Sequence, residues 1–130
     1  MEALIRVVYD RLPTVEVLEH AADARGNIFT VRRPFSACGV VIPAGFSSDG
    51  ASVPRVFWGL VFPSGDRAAM FAAVFHDYVY RTHPSSWTRS EADDAFLYFL
   101  IQGEVPLFRS VLAYIGVRLF GRRAWDAGGK

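Results

Sequence analysis

The chain has 130 residues, 52% hydrophobic and 21% charged, the proportions of a single packed globule rather than of a disordered or fibrous polypeptide. Its 14 basic side chains against 13 acidic ones generate no field that would draw it to nucleic acid, although Arg118 to Arg123 is locally basic. Cys38 is the single cysteine, which excludes an intrachain disulfide and a cysteine-based zinc site. The opening Met1-Glu2-Ala3-Leu4-Ile5-Arg6 has no basic segment leading into an apolar one, so no signal peptide is expected.

The period of the apolar residues divides the expected single domain, 1–130, into two parts. From Leu4 to Ile42 they come in short runs, Leu4 to Tyr9, Val15 to Leu18, Ile28 to Val31 and Val40 to Ile42, which read as strands of a small antiparallel sheet over residues 1–43. Asp10-Arg11-Leu12-Pro13, Ala24-Arg25-Gly26-Asn27 and Arg33-Pro34-Phe35 separate these runs, with Gly26-Asn27 suited to a hairpin turn. Residues 44–125 read as a loop, Ala44 to Ser52, followed by helices. Ser52 and Pro54 suit the start of a short helix from Pro54 to about Leu60.

The second helix is expected from near Asp66 to about Arg81, ended by His83-Pro84-Ser85-Ser86. Thr88-Arg89-Ser90-Glu91 has the form of a capping box, which starts a third helix at Thr88 that closes before Gly103 and makes an antiparallel pair with the second. Val105 to Phe120 is apolar but shorter than the ~20 residues a bilayer requires, and it contains Arg109 and Arg118. A packed helix is expected there, with interfacial contact with lipid or contact with a partner protein as the other outcomes and no integral membrane span. Residues 126–130 read as a loose tail. The fold class expected is α+β.

Within the second helix, Phe75-His76-Asp77-Tyr78-Val79-Tyr80 places an imidazole, a carboxylate and a phenol in one turn. His76 and Tyr80, four apart, share a face, whereas Asp77 projects about 100° further round, so the turn can serve two tasks. In an antiparallel pair the end of one helix faces the beginning of the next, which brings Asp93 or Asp94 within reach of His76. A carboxylate on one ring nitrogen fixes the tautomer and leaves the other nitrogen as a base. Tyr80 can donate to that carboxylate and steady it. Asp77 can join Asp49 and backbone carbonyls of Gly45-Phe46-Ser47-Ser48-Asp49-Gly50 around a hard divalent cation, calcium first. Ala72 and Ala73 are small enough to leave space beside His76.

Each of these residues also has a plainer role. His76 and Asp77 can belong to a structural polar network under the sheet, Ser-Asp-Gly at Asp49 is what an ordinary turn looks like, and Asp94 suits the first turns of a helix simply as an acid. His20 and His83 lack comparable neighbours in sequence and are expected on the surface. Phe57, Trp58, Phe71, Phe75, Phe96 and Phe99 recur at helical spacing and read as core.

The stretch from Gly45 to Arg55, then His76-Asp77-Tyr78-Val79-Tyr80, then Arg89-Ser90-Glu91-Ala92-Asp93, resembles the domain-of-unknown-function family 1353, small proteins found largely in tailed phages and prophages. The likeness spans Pro43 to Trp125. It implies phage origin and a place among tail- or lysis-associated genes. A more distant similarity is to phospholipases of the secreted A-two type, whose helix carries His-Asp-x-x-Tyr after a calcium loop and before an orienting aspartate. That similarity implies His76 as the base activating water, Asp77 as a calcium ligand, Asp49 in the loop and Asp93 as the orienting acid. The flanking cysteines of those enzymes are absent, Val79 standing at one of their places, and the loop lacks their glycine-rich form.

Two functions follow as expectations. The first is a phage or prophage protein with a metal-assisted hydrolytic site, catalytic at His76, Asp93 and Tyr80 and metal-binding at Asp49 and Asp77, acting on ester or amide bonds of the host envelope. The alternative is a non-enzymatic tail or baseplate component in which the same residues form a structural polar network. Other tail proteins or a host-envelope component are the partners expected, in the virion or the host cytoplasm.

Overall fold

The computed structural model describes residues 18–23, 26–48 and 67–129. Among the described residues the chain forms β1 (Leu18–Asp23), β2 (Gly26–Val31), β3 (Phe35–Ala37), β4 (Val40–Ile42), β5 (Ser47–Ser48), α1 (Arg67–Thr82), α2 (Arg89–Gln102), α3 (Leu107–Phe120) and α4 (Arg122–Ala127). Small antiparallel sheets precede helices, and the fold is α+β.

β1 and β2 pair antiparallel with Leu18 opposite Val31 and Asp23 opposite Gly26, and β5 adds on the far edge of β2. Gly26 and Asn27 therefore lie inside a strand, paired with Asp23 and Ala22, rather than at the hairpin turn expected of them. Of the expected strand Val15 to Leu18 only Leu18 is among the described residues; β1 carries on to Asp23, because pairing with β2 overrides the weak strand preference of Glu19 to Asp23. The expected strand from Leu4 to Tyr9 and helix from Pro54 to Leu60, with Phe57 and Trp58, lie outside the described residues.

Two further elements depart from the sequence expectation. Phe35, placed in a separator, instead opens β3, which pairs with β4 from Phe35 opposite Ile42 to Ala37 opposite Val40. The turn between them is Cys38-Gly39, both at positive φ (53° and 76°), the geometry of a two-residue type I′ hairpin whose usual Asn-Gly signal is missing here. Ser47–Ser48, in a segment read as loop, is drawn into β5 by hydrogen bonds to β2 and by the adjoining pair Val31 N–H to Phe46 O (2.9 Å) and Gly45 N–H to Val31 O (2.7 Å).

α1 is buried almost all round. Phe71 through Asp77, Val79 and Tyr80 are all buried, which makes it the central helix rather than an amphipathic surface one. The sheets' Val31, Ala37, Val40 and Ile42 cover part of it, with Phe35 packed on Phe71 at a ring separation of 5.2 Å. On the α2 side, Phe99 meets Phe71 and Phe75 edge-on at 4.7 and 5.0 Å. Burying such a phenylalanine stabilises the fold by about 1.5–3 kcal/mol. The chain leaves α1 through His83 at φ 45°, a left-handed cap before Pro84.

The capping box forms as read. Glu91 N–H donates to Thr88 Oγ1 (3.2 Å) while Thr88 N–H donates to Glu91 Oε1 (3.0 Å), so α2 starts at a fixed point. α3 ends at Gly121, and α4 follows over Arg122–Ala127, so the tail expected from Asp126 begins inside a helix. No helix among the described residues is long and apolar enough to cross a membrane.

Candidate functional site

His76 and Tyr80 stand one turn apart on the face of α1 that packs on α2, and Asp93 enters between them from the second turn of α2. His76 Nε2 lies 2.6 Å from Asp93 Oδ1, and the Tyr80 hydroxyl donates to the same oxygen at 2.6 Å. The fixed start of α2 at Thr88 sets the height at which Asp93 meets α1. An ionised carboxylate only accepts, so Nε2 donates its proton in this contact. The imidazole is held between Tyr80 and Phe96, with ring centroids at 4.1 and 4.8 Å. His76 and Asp93 are 0% exposed.

The other carboxylate oxygen is taken by two residues not foreseen as part of the site. Arg118, on the last turn of α3, donates to Asp93 Oδ2 at 2.9 Å, and Arg89, one turn before Asp93, lies 3.5 Å from the same atom. Arg89 also donates to the carbonyls of Val117 (3.1 Å) and Arg118 (3.2 Å), closing the C-terminus of α3 where positive charge suits the helix dipole. Three helices therefore meet at one carboxylate. The sequence signals were a charged residue inside an apolar helix and the arginine that opens Arg89-Ser90-Glu91-Ala92-Asp93.

Burial pushes the Asp93 carboxyl up, but the hydrogen bond and charge of His76 and the bonds from Tyr80 and Arg118 outweigh it and hold it below the ordinary 3.8. For Tyr80 burial and the Asp93 carboxylate act together, and the phenol is raised well above its ordinary 10.0. Gly121 sits directly over this cluster. A methyl group there would collide with the Val117 carbonyl oxygen and come within 2.8 Å of the Tyr80 hydroxyl.

Asp77 projects the other way, toward β5. Its Oδ2 is 2.9 Å from Arg81 Nη2, an ionic contact rather than a well-aligned hydrogen bond. Arg81 in turn donates to the Ser47 carbonyl at 3.0 Å and lies over the Phe46 ring. The two tasks read from the sequence are thus separated in space, His76 facing α2 and Asp77 facing the strand that leads into Asp49. Asp49 itself lies outside the described residues. Among the described residues no group of three or more His, Cys, Asp or Glu side chains is placed to hold a metal.

Asp94, the other acid considered for His76, instead accepts from the Tyr114 hydroxyl of α3 at 2.9 Å. His83 corrects the surface assignment. It stacks on Trp125 of α4 at 3.7 Å and its Nε2 donates to the Trp125 carbonyl at 2.9 Å, a contact created by a helix the sequence reading had not placed.

A family model described as "Protein of unknown function (DUF1353)" matches residues 28–117. The "Uncharacterized protein y4jT" of Sinorhizobium fredii (strain NBRC 101917 / NGR234) is 31% identical over 80 residues, which cover 62% of this chain and 23% of that relative. The chain thus matches less than a quarter of the relative's length. No solved structure matches.

Proposed function

The chain belongs to the DUF1353 family of proteins of unknown function, and from its site we propose a phage or prophage protein with a histidine-based hydrolytic site for ester or amide bonds of the host envelope. The supporting observation is the 2.6 Å contact of His76 Nε2 with an Asp93 oxygen that also accepts from Tyr80. This is the arrangement of a base and the carboxylate that orients it. In the proposed reaction the imidazole removes a proton from water, the oxygen adds to the scissile carbonyl carbon, and the same proton passes to the leaving oxygen or nitrogen as the carbon–heteroatom bond breaks. Asp93 stabilises the imidazolium formed in between, and Tyr80 keeps the carboxylate aligned.

Asp77, joined by Asp49, would hold a divalent cation, calcium first, whose contribution when bound is polarisation of the scissile carbonyl. Asp77 suits this role as a buried hard-oxygen donor. The phage setting, with tail or lysis proteins as partners in the virion or host cytoplasm, rests on the likeness of the three sequence motifs.

A second reading, a non-enzymatic tail or baseplate component, is favoured by the burial of His76 and by the two arginines on Asp93 Oδ2, which together make a clasp for three helices. Purified chain assayed on phospholipid vesicles and on peptidoglycan peptides, with and without calcium, separates the two. The first reading expects calcium-dependent turnover that drops by about a thousandfold or more in His76→Asn with an unchanged circular dichroism spectrum. Absence of turnover, together with co-purification with tail particles, would transfer the assignment to the second.

A further inference from the structure

α3 is turned inside out relative to an ordinary surface helix. The side it packs on α2 holds small residues, Ser110, Ala113, Gly116 and Val117, while its bulky apolar residues face outward. Leu107, Phe108 and Leu119 are 65%, 66% and 68% exposed, and Val111, Leu112 and Ile115 are exposed between them. At about 100° per residue these six positions fill one continuous arc of about 140°, and the helix is about 21 Å long. Isolated exposed apolar residues are ordinary, but a contiguous helix-long stripe marks a contact surface.

Charge identifies what it contacts. Between Glu104 and Asp126 the sequence contains no acidic residue, while Arg109, Arg118, Arg122 and Arg123 all fall in that interval. Arg118 is turned to Asp93, whereas Arg122 and Arg123 are exposed just past Phe120, itself 62% exposed, and Arg122 lies 3.4 Å from the exposed Asp126. A two-fold contact with a second copy would bring like-charged arginine-bearing ends together, with Asp126 as the nearby exposed acid. A bilayer with anionic headgroups supplies both the hydrocarbon and the missing negative charge. We propose that α3 and the start of α4 form a peripheral docking face for anionic phospholipid membranes, with α3 lying in the plane of the headgroups. This holds independently of the hydrolytic reading.

The full-length chain is floated with vesicles of pure phosphatidylcholine and with mixed phosphatidylglycerol–phosphatidylcholine vesicles. Binding is expected on the mixed vesicles, weakened by salt, and weaker by about tenfold or more on the neutral ones. Arg122→Ser with Arg123→Ser should reduce it by about tenfold or more, and Phe108→Asp with Leu119→Asp should abolish it. All four positions are exposed, so circular dichroism should be unchanged in both variants. Failure to bind the mixed vesicles, or equal binding to both kinds, would overturn the proposal. A dimer in solution that Leu119→Asp dissolves, without vesicle binding, would assign the face to a second copy.

Discussion

Two buried aspartates, Asp93 on α2 and Asp77 on α1, occupy opposite kinds of surroundings. Asp93 receives His76 and Tyr80 on one oxygen and Arg89 and Arg118 on the other, from three helices and with none of its surface exposed. Asp77 is nearly as buried, yet its Arg81 partner keeps 44% of its side chain in solvent and comes from the next turn of the same helix. Burial alone therefore does not define what a carboxylate does. Asp93 is held by side chains from three helices, which makes it a fixed anchor, whereas the cation facing Asp77 comes from its own helix and stays partly in solvent.

Asp93→Ala should give the largest effect, because it strands two arginines, an imidazole and a phenol. A loss of about 3–5 kcal/mol in denaturant unfolding is expected. A loss below about 1 kcal/mol would erase the contrast between the two acids. Tyr80→Phe removes one donor to an ionised group and should cost about 1.5–3 kcal/mol. It also probes pH dependence. The folded Asp93 carboxyl lies below its ordinary 3.8, so its stabilisation is present above that value and is lost as pH falls through the folded pKa. The raised Tyr80 phenol contributes fully below its ordinary 10.0 and progressively less as pH rises toward its folded pKa. Tyr80→Phe should therefore flatten the alkaline decline of stability and leave an acid limb, which pH-resolved unfolding would check.

The smallest effect on stability is expected at Asp77. Asp77→Asn should cost less in denaturant unfolding than Asp93→Ala, since the arginine facing Asp77 is partly solvated and can turn to water. The same variant should lose any rise in melting temperature that calcium gives the wild-type chain. Retained calcium stabilisation in Asp77→Asn would remove this residue from the metal proposal.

What was legible in the sequence was local or periodic. The capping box at Thr88 and Glu91, the helical pair and the meeting of His76, Tyr80 and Asp93 all follow from spacing along one or two adjacent elements. Arg89 and Arg118 were not legible as partners of Asp93, because their role depends on where the end of α3 comes to rest, a tertiary matter with no spacing rule. The same holds for His83, whose partner Trp125 sits on a helix hidden by the short, glycine-flanked stretch Gly121 to Gly128. Cys38-Gly39 escaped notice because its left-handed first residue is not among those that usually mark such turns.

The shared carboxylate also bears on how fast the chain assembles. Its four partners lie only 4, 13, 17 and 25 residues away along the chain, so three helices can be gathered without closing any long loop. Contacts of such short separation favour fast folding, a property that the β1–β2 and β3–β4 hairpins share.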